Sequence, residues 1–195
     1  MMKKITLFIA ALLIAFVSVA QKGKKEEDAI KIPYDSLAEK FIYTNVFEIP
    51  GATAQTLYKR SKDWSIQKFS DEKFLIDETD TKLTDLGNFT INVTMEAGMI
   101  KMPIAYTVIY TVTTGFKEGK SKLDITNIKL TDNAQGTSSE QTIESFKKQM
   151  EDIQMGKKIG KRFVIDCFEQ IDANIQKVIT DLEKSLKGDA VKSDW

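Results

Sequence analysis

The chain has 195 residues, with 28 Lys and Arg against 28 Asp and Glu, one Cys and no His. The missing imidazole excludes a His general base, Ser-His and Cys-His nucleophile pairs, His-ligated zinc or haem, and an unperturbed charge switch near neutral pH. The lone Cys167 excludes an internal disulfide and a Cys-rich metal site, so the fold must rest on an apolar core, for which 42% hydrophobic content is ordinary.

Met1 to Ala20 has the layout of a secretory signal peptide. Lys3 and Lys4 form the charged start, Ile5 to Val17 the apolar run, and Ser18-Val19-Ala20 the small residues before a cleavage site between Ala20 and Gln21. The apolar run is shorter than the about 20 residues that a membrane span needs, and no Cys follows it to carry a lipid. The expected mature chain starts at Gln21, has no membrane anchor, and is exported to the periplasm or secreted. Cleavage leaves 26 basic against 28 acidic residues, a balance unsuited to nucleic acid.

Residues 21–40 read as a charged leader, polar from Gln21 to Lys31 and closed by Pro33; Ser36 and Glu39 have capping-box spacing for a short helical turn. Phe41 to Ile49 alternates as a strand and stops at Pro50-Gly51. Thr53 then has the place of an N-cap, and the spacing predicts a helix to Phe69 whose inner stripe is Leu57 and Trp64, flanked by Tyr58.

Four strands are predicted next, at Lys73 to Asp77, Gly87 to Met95, Met102 to Thr114 and Ser121 to Leu130, as successive antiparallel hairpins. Phe89, Ile91, Val93 and Met95 share one face of their strand; Thr90, Asn92 and Thr94 share the other. The next strand splits Ile104, Tyr106, Val108, Tyr110 and Val112 from Ala105, Thr107, Ile109, Thr111 and Thr113. That is the pattern of an antiparallel sheet covered on one side. Leu123 and Ile125 have opposite parity to Ile128 and Leu130, which predicts a bulge near Asn127.

Asn133 to Ser139 reads as a polar loop, followed by a helix from Glu140 to Met155 that Gly156 and Gly160 interrupt. From Lys161 to Lys187, Val164, Phe168, Ile171, Ile175, Val178 and Leu182 recur at three and four residues, predicting a long helix closed by Gly188. The expected fold class is α+β: one antiparallel sheet of about five strands in the order β-α-β-β-β-β-α, covered on one face by helices. It forms one domain over residues 41–187, with a flexible tail at 188–195.

Candidate chemistry is sparse. Asp77-Glu78-Thr79-Asp80 and Asp85 invite a calcium reading, but an EF-hand loop needs a turn glycine at its sixth position, here Lys82, so the cluster reads as a solvated hairpin turn. No pair of acids stands in a catalytic constellation, and Cys167, beside Phe168 and near Phe163, reads as a core residue. No cofactor is implied. Met95, Met99 and Met102 surround one hairpin turn as a soft apolar flap that suits a ligand or partner, against the plainer reading of gap-filling. Asn88-Phe89-Thr90 and Asn92-Val93-Thr94 match the N-glycosylation pattern but lie within a predicted strand.

Val46-Phe47-Glu48-Ile49-Pro50-Gly51, then Leu57-Tyr58-Lys59-Arg60 and Lys62-Asp63-Trp64, then the hairpins through Gly119 to Ile128, carry a family resemblance. Over about residues 41 to 130 the chain resembles a bacterial family of domains of unknown function with a TBP-like fold, common in exported proteins of Bacteroidetes-type bacteria. The resemblance implies a strand, a helix, a run of antiparallel strands and a closing helix. It assigns no activity, and the fold name implies no DNA binding. With such a source, Asp35-Ser36-Leu37 resembles a periplasmic O-glycosylation motif, making Ser36 a candidate site beside its helix-cap reading.

Three functional classes follow. The first is an exported non-enzymatic module that binds an envelope protein or ligand through the Thr/Asn-rich face (Thr90, Asn92, Thr94, Thr107, Thr111, Thr113) or the methionine flap. The second is a carrier of a small apolar ligand or lipid, with Trp64, Tyr106 and Tyr110 lining a cavity between sheet and long helix. The third, a carboxylate-dependent enzyme, needs two acids converging in a pocket.

Overall fold

The computed structural model describes residues 32–69, 75–79, 81–97, 99–132, 139–152 and 157–188. The residues read as a signal segment, the expected cleavage site, the stretch read as a leader up to Lys31 and the tail from Asp189 lie outside the described residues.

The chain opens with a small hairpin, β1 (Tyr34–Asp35) against β2 (Lys40–Phe41). No helical turn forms from Ser36 and Glu39: Asp35 Oδ1 instead accepts hydrogen bonds from the Leu37 and Ala38 backbone N–H groups at 2.9 and 3.1 Å, an Asx-type turn that bends the chain back. Ile32 and Phe41 are both buried in the core. The described part of the stretch read as a leader is thus fastened to the domain.

β3 (Tyr43–Glu48) follows, then α1 (Ala54–Phe69), capped by Thr53, whose Oγ1 accepts from Thr56 N at 3.1 Å. After α1 come β4 (Leu75–Thr79), β5 (Lys82–Ala97), β6 (Ile100–Lys117), β7 (Lys120–Asp132) and β8 (Ser139–Thr142), then α2 (Ile143–Asp152) and α3 (Lys157–Lys187). The large sheet has six strands in the order β3-β7-β6-β5-β4, with β8 also pairing β7, and every pairing is antiparallel. β8 is the strand beyond the expected five. It occupies residues read as loop end and helix start, and α2 begins only at Ile143, after the capping bond from Ser145 N to Thr142 Oγ1. Gly160 lies inside α3 rather than interrupting it.

The alternation read from β5 and β6 holds. Tyr106, Val108, Tyr110 and Val112 are buried with Ile91 and Val93, and they face all three described helices: Tyr58 of α1 stacks on Phe116, Phe146 of α2 and Phe163 of α3 on Tyr106. The stripe Val164, Phe168, Ile171, Ile175, Val178 and Leu182 is buried throughout. The bulge forms at Asn127, which adopts φ 51°, while the β6–β7 register shifts between Ile109 and Thr111. Asn tolerates this left-handed conformation, and the extra residue turns Ile128 and Leu130 onto the same inner face as Leu123 and Ile125.

One polar cluster departs from expectation. β5 begins at Lys82, so Asp85 belongs to a strand, and it is 2% exposed on the inner face rather than solvated in a turn.

Candidate functional site

Among the described residues, the helices leave the other face of the sheet open. Asn88, Thr90, Asn92 and Thr94 of β5 are exposed there, and Thr107, Ile109, Thr111 and Thr113 of β6 are half-buried by their neighbours. The Thr/Asn-rich stripe is flanked on β7 and β3 by charge: Lys120 pairs with Glu48 at 2.9 Å, Lys122 with Asp124 at 2.7 Å, and Thr44 donates to Asp124 at 2.7 Å. Across the stripe the polar groups touch lightly, Asn127 Nδ2 to Thr111 Oγ1 at 3.4 Å and Thr84 to Thr113 at 3.5 Å. Contacts this long leave Thr111 and Thr113 able to bond an incoming partner. All six positions singled out from the sequence share this face.

β5 and β6 run past the end of β7, whose last residue, Asp132, stands opposite Tyr106. Among the described strands, residues 92 to 105 of β5 and β6 thus form an arm that pairs with no third strand. At its tip Met99 is fully exposed, Ile100 largely so, and Met102 partly, while Glu96 and Lys101 form an ion pair at 2.7 Å. Met95 departs from the flap reading: it is half-buried and packs against the core.

Trp64, Tyr106 and Tyr110 do not line an open cavity. They are 2, 5 and 1% exposed and fill the space between sheet and helices. Burial pushes the Tyr106 phenol up to about 12 and the Tyr110 phenol higher. Cys167 is buried too, and desolvation, helped by the Asp166 charge, pushes its thiol up to about 12, the opposite of an activated nucleophile.

Among the described residues, grooves open between elements at two places that bear on the site. One, of about 740 Å³, runs between the outer edge of β5 at Asn92, Thr94 and Glu96 and the α3 residues Arg162, Asp166 and Glu169, with Val93 and Phe163 also lining it. The other, of about 540 Å³, lies between the first hairpin and α2, where Glu144 Oε1 accepts from Phe41 N at 2.9 Å. The first has a feature no local sequence pattern announced. Gln170 reaches from α3 to the strand edge, its Oε1 accepting from Asn92 N at 3.2 Å and its Nε2 donating to Asn92 O at 2.7 Å. Ser36 lies exposed in the first hairpin's turn, followed by a Leu37 that is 97% exposed. Asn88 and Asn92 are exposed within β5, in regular strand rather than loop.

A strand, a helix, a run of antiparallel strands and a closing helix, the arrangement the resemblance implies, are all present. Residues 43–131 match the family model described as a domain of unknown function (DUF4468) with TBP-like fold. The chain resembles this family. A DUF4468 family protein from Bacteroides ovatus superposes with a TM-score of 0.51 at 15% identity, over 77% of this chain and 90% of that one. A TBP-like protein from Parabacteroides distasonis gives 0.52 at 12% identity, over 78% and 97%. At such identities the shared feature is the fold. No curated protein matches the chain. Among the described residues no helix is long and apolar enough to cross a membrane.

Proposed function

We propose that this DUF4468-like protein is an exported, non-enzymatic binding module of the cell envelope that meets an envelope protein through its open sheet face. The observation that carries the reading is the one-sidedness of the sheet. All three described helices pack on the inner face, and the outer one presents Thr90, Asn92 and Thr94 with half-buried Thr107, Thr111 and Thr113. Thr is favoured in strands on any solvated face; what adds to this is Asn, which strands disfavour, at two exposed positions of β5.

Charge substitutions test the face directly. Thr90→Lys with Thr111→Lys should leave unfolding unchanged and abolish recovery of any partner crosslinked to the wild-type protein in its native host. Unchanged recovery would refute the face as the contact. Export is supported by the layout of residues 1–20, and the intact mass of the native protein tests it: the chain should begin at Gln21. A glycan on Ser36 would add mass that Ser36→Ala removes; a bare polypeptide mass would end that proposal.

A further inference from the structure

β5 lies at the edge of the sheet once β4 has ended opposite Asp85; beyond that point no described strand pairs its outer side. Antiparallel strands alternate residues whose N–H and C=O face one neighbour with residues whose groups face the other. The Gln170 bonds fix which is which. Asn92 points both backbone groups away from β6, so Thr94 and Glu96, in unbroken register, do the same. Their outward groups open into the groove against α3.

The Gln170 carboxamide gives Asn92 one acceptor and one donor, the same pair that one residue of an added strand would give. Pro103, opposite Thr94, has its missing N–H on the far side of the same arm. The other edge of the arm is therefore blunted against strand addition, whereas the β5 edge keeps its donors. The groove wall carries Glu96, Asp166 and Glu169; Lys101 pairs with Glu96 at 2.7 Å and Arg162 lies 3.0 Å from Asp166, which leaves one acid in excess, with Glu169 exposed. That excess of acid suits a basic chain.

We propose that the outer edge of β5, with α3 as its wall, receives an extended basic segment of a partner protein as an added strand. Gln170 occupies the first place of that strand until the partner arrives. Backbone pairing along Thr94 and Glu96 supplies affinity, and the acids supply selectivity for lysine or arginine side chains. The proposal uses the backbone edge at Thr94 and Glu96 and not the side chains of the open face, so Thr90→Lys and Thr111→Lys leave it untouched.

The test uses a labelled peptide alternating lysine with valine, a composition that favours the extended state, and its counterpart alternating glutamate with valine. The lysine peptide should bind the purified protein and shift the amide resonances of Thr94 and Glu96. Gln170→Ala should bind it roughly fivefold tighter, since about one net hydrogen bond no longer competes. Thr94→Pro removes an outward N–H without touching the ladder to β6 and should abolish binding; Glu169→Lys, on the exposed side of α3, should weaken it with no change to the strand. Equal binding of the two peptides, indifference to both Gln170→Ala and Glu169→Lys, or shifts confined to other elements would overturn the proposal. Self-association of Gln170→Ala in place of peptide binding would overturn it also, by putting a second copy on the edge.

Discussion

The phenol ring of Tyr110 lies over the backbone of Gly87, its direct partner across the β5–β6 ladder, so closely that a Cβ on Gly87 would stand 2.4 Å from Tyr110 Cζ. A glycine inside a strand costs order and leaves backbone uncovered. Here the ring supplies the cover, with Phe89 packed against it at 5.5 Å between centroids. The glycine answers a need for space, and the tyrosine fills it.

Gly87→Ala should therefore destabilise, although alanine ordinarily improves a strand. Forcing a methyl into the ring is an overpacking error worth about 1–3 kcal/mol, read as a lower urea midpoint. Tyr110→Ala alone should cost about 3–5 kcal/mol by analogy with other large aromatic truncations. In the double variant the added methyl has room, so the loss should fall short of the sum of the two. Strict additivity would mean that the ring and the glycine are not coupled.

Arg60 ties the two long helices together. Its Nη1 donates to Leu186 O at 2.7 Å, its own carbonyl accepts from Ser185 Oγ at 3.1 Å, and it lies against Gly188, which ends α3 at φ 86°. A cation on the last carbonyls of a helix satisfies groups the helix cannot satisfy itself and opposes the dipole. Arg60→Ala should cost about 1–2 kcal/mol, with faster hydrogen exchange concentrated in the last turn of α3. Arg60→Lys should restore only part of this, because an ammonium lacks the planar fork. Uniform exchange along α3 in Arg60→Ala would contradict the capping role.

Alkaline pH should loosen the fold. Burial raises the Tyr43, Tyr106 and Tyr110 phenols and the Cys167 thiol; a hydrogen bond from Tyr43 to Asp172 Oδ1 at 2.9 Å raises the first further. Each group holds its proton in the folded chain at a pH where the unfolded chain has lost it. Their contribution is full below the ordinary values of 9.0 for the thiol and 10.0 for the phenols, and declines above them, through about 12 for Tyr106 and Cys167. The unfolding midpoint should fall steadily from about pH 9 upward, with phenolate absorbance rising as the protein unfolds. Native Cys167 should resist a thiol reagent at pH 8 and react once denaturant is added. Immediate labelling of the native protein would contradict its burial.

Patterns that repeat along one element were legible: the α3 stripe from Val164 to Leu182, the inner and outer faces of β5 and β6, and the parity change that becomes the Asn127 bulge. Each is encoded within a few residues. What escaped depends on distant partners. The first hairpin was hidden because its charged composition suggests a leader, yet Ile32 and Phe41 find the core, and Phe41 rings with Phe168 on α3 at 5.2 Å. β8 is too short to alternate convincingly and exists by pairing with β7. Asp85 sits in an acidic run that ordinarily means solvent. For the candidate site, the Thr/Asn face was visible as alternation, whereas the Gln170–Asn92 pair spans 78 residues and has no local signature.

The three methionines of the hairpin arm separate packing from exposure within one short segment. Met95 is half-buried against the core, whereas Met99 is fully exposed and Met102 is exposed beside Ile100. Met95→Ala should cost roughly 1–2 kcal/mol, below the range for a fully buried methionine because part of the side chain already meets water. Met99→Ala and Met102→Ala should each stay within about 0.5 kcal/mol of the wild type. Replacing both with serine should reduce binding of a dye that reports exposed apolar surface, with no shift in the thermal midpoint. If Met99→Ala destabilised as much as Met95→Ala, the arm's tip would have to be packed against the domain in solution, and its role as an exposed contact would fail.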